Sequence, residues 1–159
     1  MTKYQFNSPT YGRLEFAEMI QKITSYMEEV PDQKYRVVIG TDSQMHNKKE
    51  ADFVSALIIH RVGSGGIYFW TREKVPKPYA LRERIYEEAT RSMGLAERFL
   101  QAFEEKVLKY DLEIHVDVGR LGETRQMINE VVGMIRGSGF KVKIKPEAYG
   151  AATVADRYT

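Results

Sequence analysis

Between residues 13 and 30, apolar side chains recur at Phe16, Met19, Ile20, Ile23, Met27 and Val30, a spacing that predicts an amphipathic helix. Pro31-Asp32 stops it. The run YRVVIGTDSQ then predicts a strand ending near Asp42, and the polar stretch 43–50 a turn. DFVSALIIHRV (52–62) and IYFWTRE (67–73) read as two more strands, joined by Gly63-Ser64-Gly65-Gly66. Three strands with such short links imply an antiparallel meander. After Pro76 and Pro78 the period changes. Residues 80–109 predict one long helix, with Leu81, Ile85, Ala89, Ser92, Leu95, Ala96, Phe99, Phe103 and Val107 on one broad face. LEIHVDV (112–118) is a fourth strand, and a helix at about 123–136 ends at Gly137-Ser138-Gly139. FKVKIK (140–145) alternates as a fifth strand, Pro146 interrupts, and AATVADRYT predicts a short last helix. The expected class is therefore α/β, a mixed sheet flanked by helices. No repeat or linker divides the chain, so one domain over 1–159 is expected, with residues 1–31 as an N-terminal helical extension.

Bulk properties narrow the chemistry. At 159 residues, 43% apolar and 29% charged, the chain has the composition of an ordinary globular domain. It has no cysteine, which excludes disulfides, thiolate zinc sites and cysteine nucleophiles. MTKYQFNSPTYG lacks an apolar signal core and no 18-residue apolar run occurs, so the expected location is cytoplasmic. A formal charge of +2 neither requires nor excludes a polyanionic partner.

Most acidic residues fit solvated positions; four stand out. Asp42 follows Val37-Val38-Ile39-Gly40, a run apolar on both faces as in a central strand, although GTDS reads equally as a turn. Asp117 closes the fourth strand at the carboxyl end, where open α/β sheets usually place ligands. It shares a face with Glu113 and His115, so a solvated polar face is the competing reading. Glu88 aligns with Ile85, Ser92, Leu95, Ala96 and Phe99 on the helix face that must meet the sheet. Glu87, 100° around the helix and within reach of Arg84 and Arg91, reads as an outward ion-pair partner and is the alternative. Asp156 lies among Ala151, Ala152, Val154 and Ala155; taken alone it reads as a terminal residue paired with Arg157.

The set says more than its members. Four converging carboxylates raise one another's pKa unless cations neutralise them. Oxygen-only ligands suit Mg²⁺ or Mn²⁺ rather than zinc. Two such ions roughly 4 Å apart can activate water and stabilise the leaving oxygen of a phosphodiester.

The order of acids (first strand, first crossover helix, fourth strand, last helix) resembles the ribonuclease H-like superfamily. More closely, IGTDSQ (39–44), LRERIYEEATRS (81–92), EIHVDVG (113–119), EVVGMIRGSGF (130–140) and KPEAYGAATVADRYT (145–159) resemble its YkuK-type bacterial family along nearly the whole chain. The resemblance implies a five-stranded mixed sheet with the first and fourth strands adjacent. Asp42 and Asp117 would then meet, and Glu88 and Asp156 would complete a site for two Mg²⁺ or Mn²⁺ ions. Ribonucleases H proper often carry a histidine in the loop before the last helix; KPEAYG has none.

The expected partner is nucleic acid, whether RNA, DNA or a hybrid. Ser43, Gln44, Arg120, Arg125 and Lys145 are the candidate substrate contacts. Lys141, Lys143 and Lys145 line one face of the fifth strand, where lysines serve phosphate binding or edge protection equally well. Tyr68, Phe69 and Trp70 alternate between core and possible base stacking, and His46 lies in the turn after Asp42. The leading expectation is a nuclease. The alternative is a catalytically weak or inactive nucleic-acid-binding module of the same fold. A nucleotide phosphohydrolase would need a Gly-rich phosphate loop after the first strand, and GTDSQ is too short.

Overall fold

The computed structural model describes residues 5–118, 125–145 and 147–148. The chain opens on a hairpin, β1 (Gln5–Ser8) and β2 (Gly12–Glu15), followed by α1 (Phe16–Glu29). The meander follows: β3 (Tyr35–His46), β4 (Glu50–Arg61) and β5 (Gly66–Val75). Next come α2 (Leu81–Phe103), β6 (Asp111–His115), a 3-10 turn η1 (Arg125–Met127), α3 (Ile128–Gly137) and β7 (Lys141–Lys143). The strands form one sheet in the order β2-β1-β5-β4-β3-β6-β7, with β6 parallel to β3 and β7 parallel to β6.

Four expectations are corrected. Among the described residues the sheet has seven strands, not five. The N-terminal extension is a hairpin plus a helix, because β1 adds to the sheet edge at Asn7↔Trp70 and buries Phe6 and Leu14. The helix starts at Phe16, where Glu18 reaches back to accept the Glu15 N–H at 3.1 Å. The polar stretch after Asp42 is a turn only at residues 47–49. Ser43↔Phe53, Gln44↔Asp52 and Met45↔Ala51 continue the β3–β4 ladder, and the hydrogen-bonded partner strand overrides weak local propensity. The chain reverses only at Asn47 and Lys48, whose φ values are 54° and 58°. The long helix ends at Phe103, short of residue 109.

Alternation along β3 gives the sheet two distinct faces. Val37 and Ile39 join Leu57, Ile59, Phe69 and Ile114 in the main core, covered by Met19, Ile23 and Met27 of α1 and Ala89, Ala96 and Phe99 of α2. The opposite face holds a smaller cluster, Val38, Val54 and Ala56, with Ile58 and Trp70 packed on it. The tight β4–β5 connection depends on Gly66, where a Cβ would lie 2.5 Å from the Ile59 carbonyl oxygen. Among the described residues no helix is long and apolar enough to cross a membrane.

Candidate carboxylate centre

β6 pairs with β3 only as far as Gly40↔His115, so β3 runs on past the end of its parallel neighbour. Asp42 lies two residues beyond that last pair. Asp117 lies two residues beyond β6, in a segment still tied to the β7 side by Val116 N–H to Lys143 O (3.0 Å) and Lys145 N–H to Val118 O (3.0 Å). The parallel register therefore aims both aspartates at the same open end of the sheet.

Glu88 enters from α2. Ser92, one turn further along, bonds Thr41 Oγ1 at 2.8 Å, and Thr41 bonds Ser55 Oγ at 2.8 Å. This buried chain of hydroxyls fixes the helix on the strands beneath the acids. Ser43 Oγ donates to Glu88 Oε2 at 2.5 Å. Arg84, one turn before Glu88, donates through Nη1 to the Ser43 carbonyl (3.2 Å) and hydroxyl (3.3 Å). Glu88 is only 7% exposed. Burial raises its pKa to about 8; the Ser43 bond and Arg84 oppose the shift, whereas the charges of Asp42 and Asp117 add to it. Glu87 instead pairs with Arg91 at 3.0 Å on the outer side of the helix.

Lys145 sets a cation against Asp117. Its Nζ lies 2.6 Å from Asp117 Oδ1, and its pKa is raised first by that hydrogen bond, then by the charges of Asp117, Asp42 and Glu88. Asp42, Glu88, Asp117 and Lys145 thus share one electrostatic environment. Among the described residues, no three acidic or histidine side chains already stand at metal-ligand spacing.

Of the other candidates, Ser43 belongs to the cluster through Glu88. Gln44 is exposed and faces away from Ser43 along the strand. Arg125 is exposed at the start of η1, and no contact joins it to the acids among the described residues. Asp156 and Arg120 lie outside the described residues.

The competing reading of Asp117 on a solvated face does not hold for its neighbours. Glu113 and His115 are 6% and 1% exposed. His115 Nε2 stands 2.9 Å from Glu113 Oε1, with Arg36 Nε and Lys143 Nζ each 3.9 Å from the carboxylate. Two of the strand lysines, Lys143 and Lys145, therefore pair with acids of the β6 segment. Asp52 was missed in the sequence. It is 2% exposed and lies near Arg72 and His46; its alternation with Val54, Ala56 and Ile58 on one face was the available signal.

A ribonuclease H-like family model matches residues 18–159. The Bacillus subtilis (strain 168) protein named "Uncharacterized protein YkuK" is 29% identical over 168 residues, spanning 98% of this chain and 97% of that protein. With the acids of its first and fourth predicted strands brought to one end of a mixed sheet, and a family match over most of its length, this chain belongs to the ribonuclease H-like family.

Proposed function

We propose that this protein is a nuclease that hydrolyses phosphodiester bonds of RNA or DNA with Mg²⁺ or Mn²⁺, and that Asp42, Glu88 and Asp117, with Asp156, are its metal-binding residues. The observation that carries this reading is Glu88: a carboxyl that is 7% exposed, on a helix, with two aspartates from separate strands raising its proton affinity. Arg84 lowers that affinity, but Asp42 and Asp117 each raise it by more. The donor set fits a hard divalent cation in kind, being oxygen-only, and the ammonium of Lys145 already rests against it.

Two bound ions would supply an activated water and charge to stabilise the leaving oxygen. The chain's own residues do the positioning. Asp42 would offer carboxylate oxygens from β3, and Asp117 from the hydrogen-bonded segment just past β6. Ser43 and Arg84 fix the orientation of Glu88, whose proton must leave for it to act as a ligand. Lys145 holds Asp117 and is placed to meet a phosphate when that oxygen turns to a cation.

The test is a cleavage panel of hybrid, duplex, branched and single-stranded substrates with Mn²⁺ or Mg²⁺. Metal-dependent cleavage by the parent chain, lost in Asp42→Asn and Asp117→Asn, is the expected result. Equal cleavage by parent and variants contradicts the mechanism, and metal-independent binding without cleavage selects the binding-module alternative.

A further inference from the structure

Beyond Asp42 the same sheet face carries a buried carboxylate that the proposed centre does not use. Asp52 opposes Gln44 across the β3–β4 register, and its side chain is 3% exposed. Such an acid is costly to bury unless cations meet it. Two groups do. Arg72 Nε lies 3.2 Å from Oδ1, and His46 Nε2 lies 3.6 Å from Oδ2. Arg72 comes from β5, where it opposes Val54, and His46 comes from the end of β3. The guanidinium also lies over the Trp70 ring, 5.8 Å from its centroid.

The pairing is lopsided. The acid is hidden, while the Arg72 and His46 side chains remain 37% and 42% exposed. Asp52 Oδ1 has no aligned hydrogen bond despite the nearby guanidinium, so stability alone is poorly served by this geometry. Asp52 holds one nitrogen of each partner. The contact with Asp52 uses Nε2 of His46 and Nε of Arg72, not His46 Nδ1 or the two terminal amino groups of Arg72. The terminal amino groups of Arg72 remain as donors and a guanidinium fork matches phosphate, while Nδ1 of His46 donates to an anion only in the imidazolium form.

Position points the same way. Side chains on one strand face recur every two residues, roughly 6.7 Å apart. Asp42, Gln44 and His46 therefore form a line whose step is comparable to that between successive phosphates of a nucleic-acid strand.

We propose that His46 and Arg72, held by buried Asp52, form a phosphate-binding subsite that seats the nucleic-acid strand beside the scissile bond. The proposal rests on the nuclease reading and assigns it a substrate-positioning surface. Contacts of this kind fix register without reading sequence.

The test uses the full chain carrying Asp42→Asn, in EDTA, with labelled hybrid, single-stranded and branched oligonucleotides, read by fluorescence anisotropy against salt concentration. Adding His46→Gln and Arg72→Gln should raise Kd about 10-fold for the oligonucleotide bound. The two together should lower the salt slope by about one or two charges. In the Asp42-intact chain they should raise KM with kcat nearly unchanged. Asp52→Asn should act in the same direction, while the two exposed substitutions keep the test valid even if that variant folds poorly. Lys109→Gln, an exposed lysine just before β6 at the opposite end of the sheet from His46, is the control and should leave Kd unaltered. Unchanged Kd and salt slope in a protein that does bind overturn this subsite alone. Failure to bind any oligonucleotide overturns the subsite, and the nuclease reading falls separately if the parent chain with Mn²⁺ or Mg²⁺ cleaves none of them.

Discussion

Two glutamates of this molecule are nearly equally buried and oppositely surrounded. Glu113 is 6% exposed on the middle of β6, with His115, Arg36 and Lys143 all within 4.0 Å of its carboxylate. Glu88 is 7% exposed on α2, with a hydroxyl and one arginine on one side and two aspartates adding negative charge on the other. The first is an acid whose charge the fold itself neutralises. The second is an acid whose charge the fold discourages. A buried carboxyl among carboxylates makes structural sense when another cation is expected there, which separates a scaffold cluster from a chemical one.

The comparison predicts different failures. Glu113→Gln leaves three cationic or imidazole groups facing a neutral amide. We expect a stability loss of about 1–3 kcal/mol, seen as a fall in Tm of roughly 5 °C, while folded molecules keep their metal affinity. A Tm within a degree or two of the parent would erase the distinction. Asp117→Asn should do the reverse, leaving Tm close to the parent and lowering the metal-dependent cleavage rate roughly 100-fold or more.

The third prediction concerns pH. Glu88 in the folded chain holds its proton up to about pH 8, whereas the unfolded carboxyl releases it near 4.5. The unfolded state therefore loses its proton first as pH rises. In EDTA, stability should fall between about pH 4.5 and 8, by up to about 1 kcal/mol per unit, and flatten above that range. Denaturant melts of the parent and Glu88→Gln check this: the difference between their stabilities should shrink at low pH and widen towards pH 8. A constant difference contradicts it. The smallest effect belongs to Lys145, which is 58% exposed. Lys145→Gln removes a cation competing for Asp117 and should tighten Mn²⁺ binding by less than about 10-fold; weaker binding would mean the lysine supports the site.

The meander, the two crossover strands and the central position of the strand bearing Asp42 were legible because period-two and period-3.6 patterns are written locally. That Glu88 rather than Glu87 lies on the buried face of α2 was legible for the same reason, since Ile85, Ser92 and Leu95 mark that face. The N-terminal hairpin was not. QFNS and GRLE are four residues each and become strands only because an exposed sheet edge is there to receive them. Nor was the length of β3, since the polar residues 43–46 are held in the sheet by their partners rather than by their own preferences. Asp52 escaped notice because an aspartate opening a strand looks like a turn residue until its opposite neighbours are known. The burial of Glu113 and His115 likewise depends on Arg36 and Lys143, from two other strands.

Asp42, Glu88 and Asp117 are proposed to make one centre that takes up divalent cations. The decisive experiment is calorimetric titration of Mn²⁺ into the folded parent and into the Asp42→Asn/Asp117→Asn double variant. Saturable binding by the parent and none by the variant at the same concentrations is expected, with both folded by circular dichroism. Identical isotherms, or no saturable binding by the parent, would contradict it.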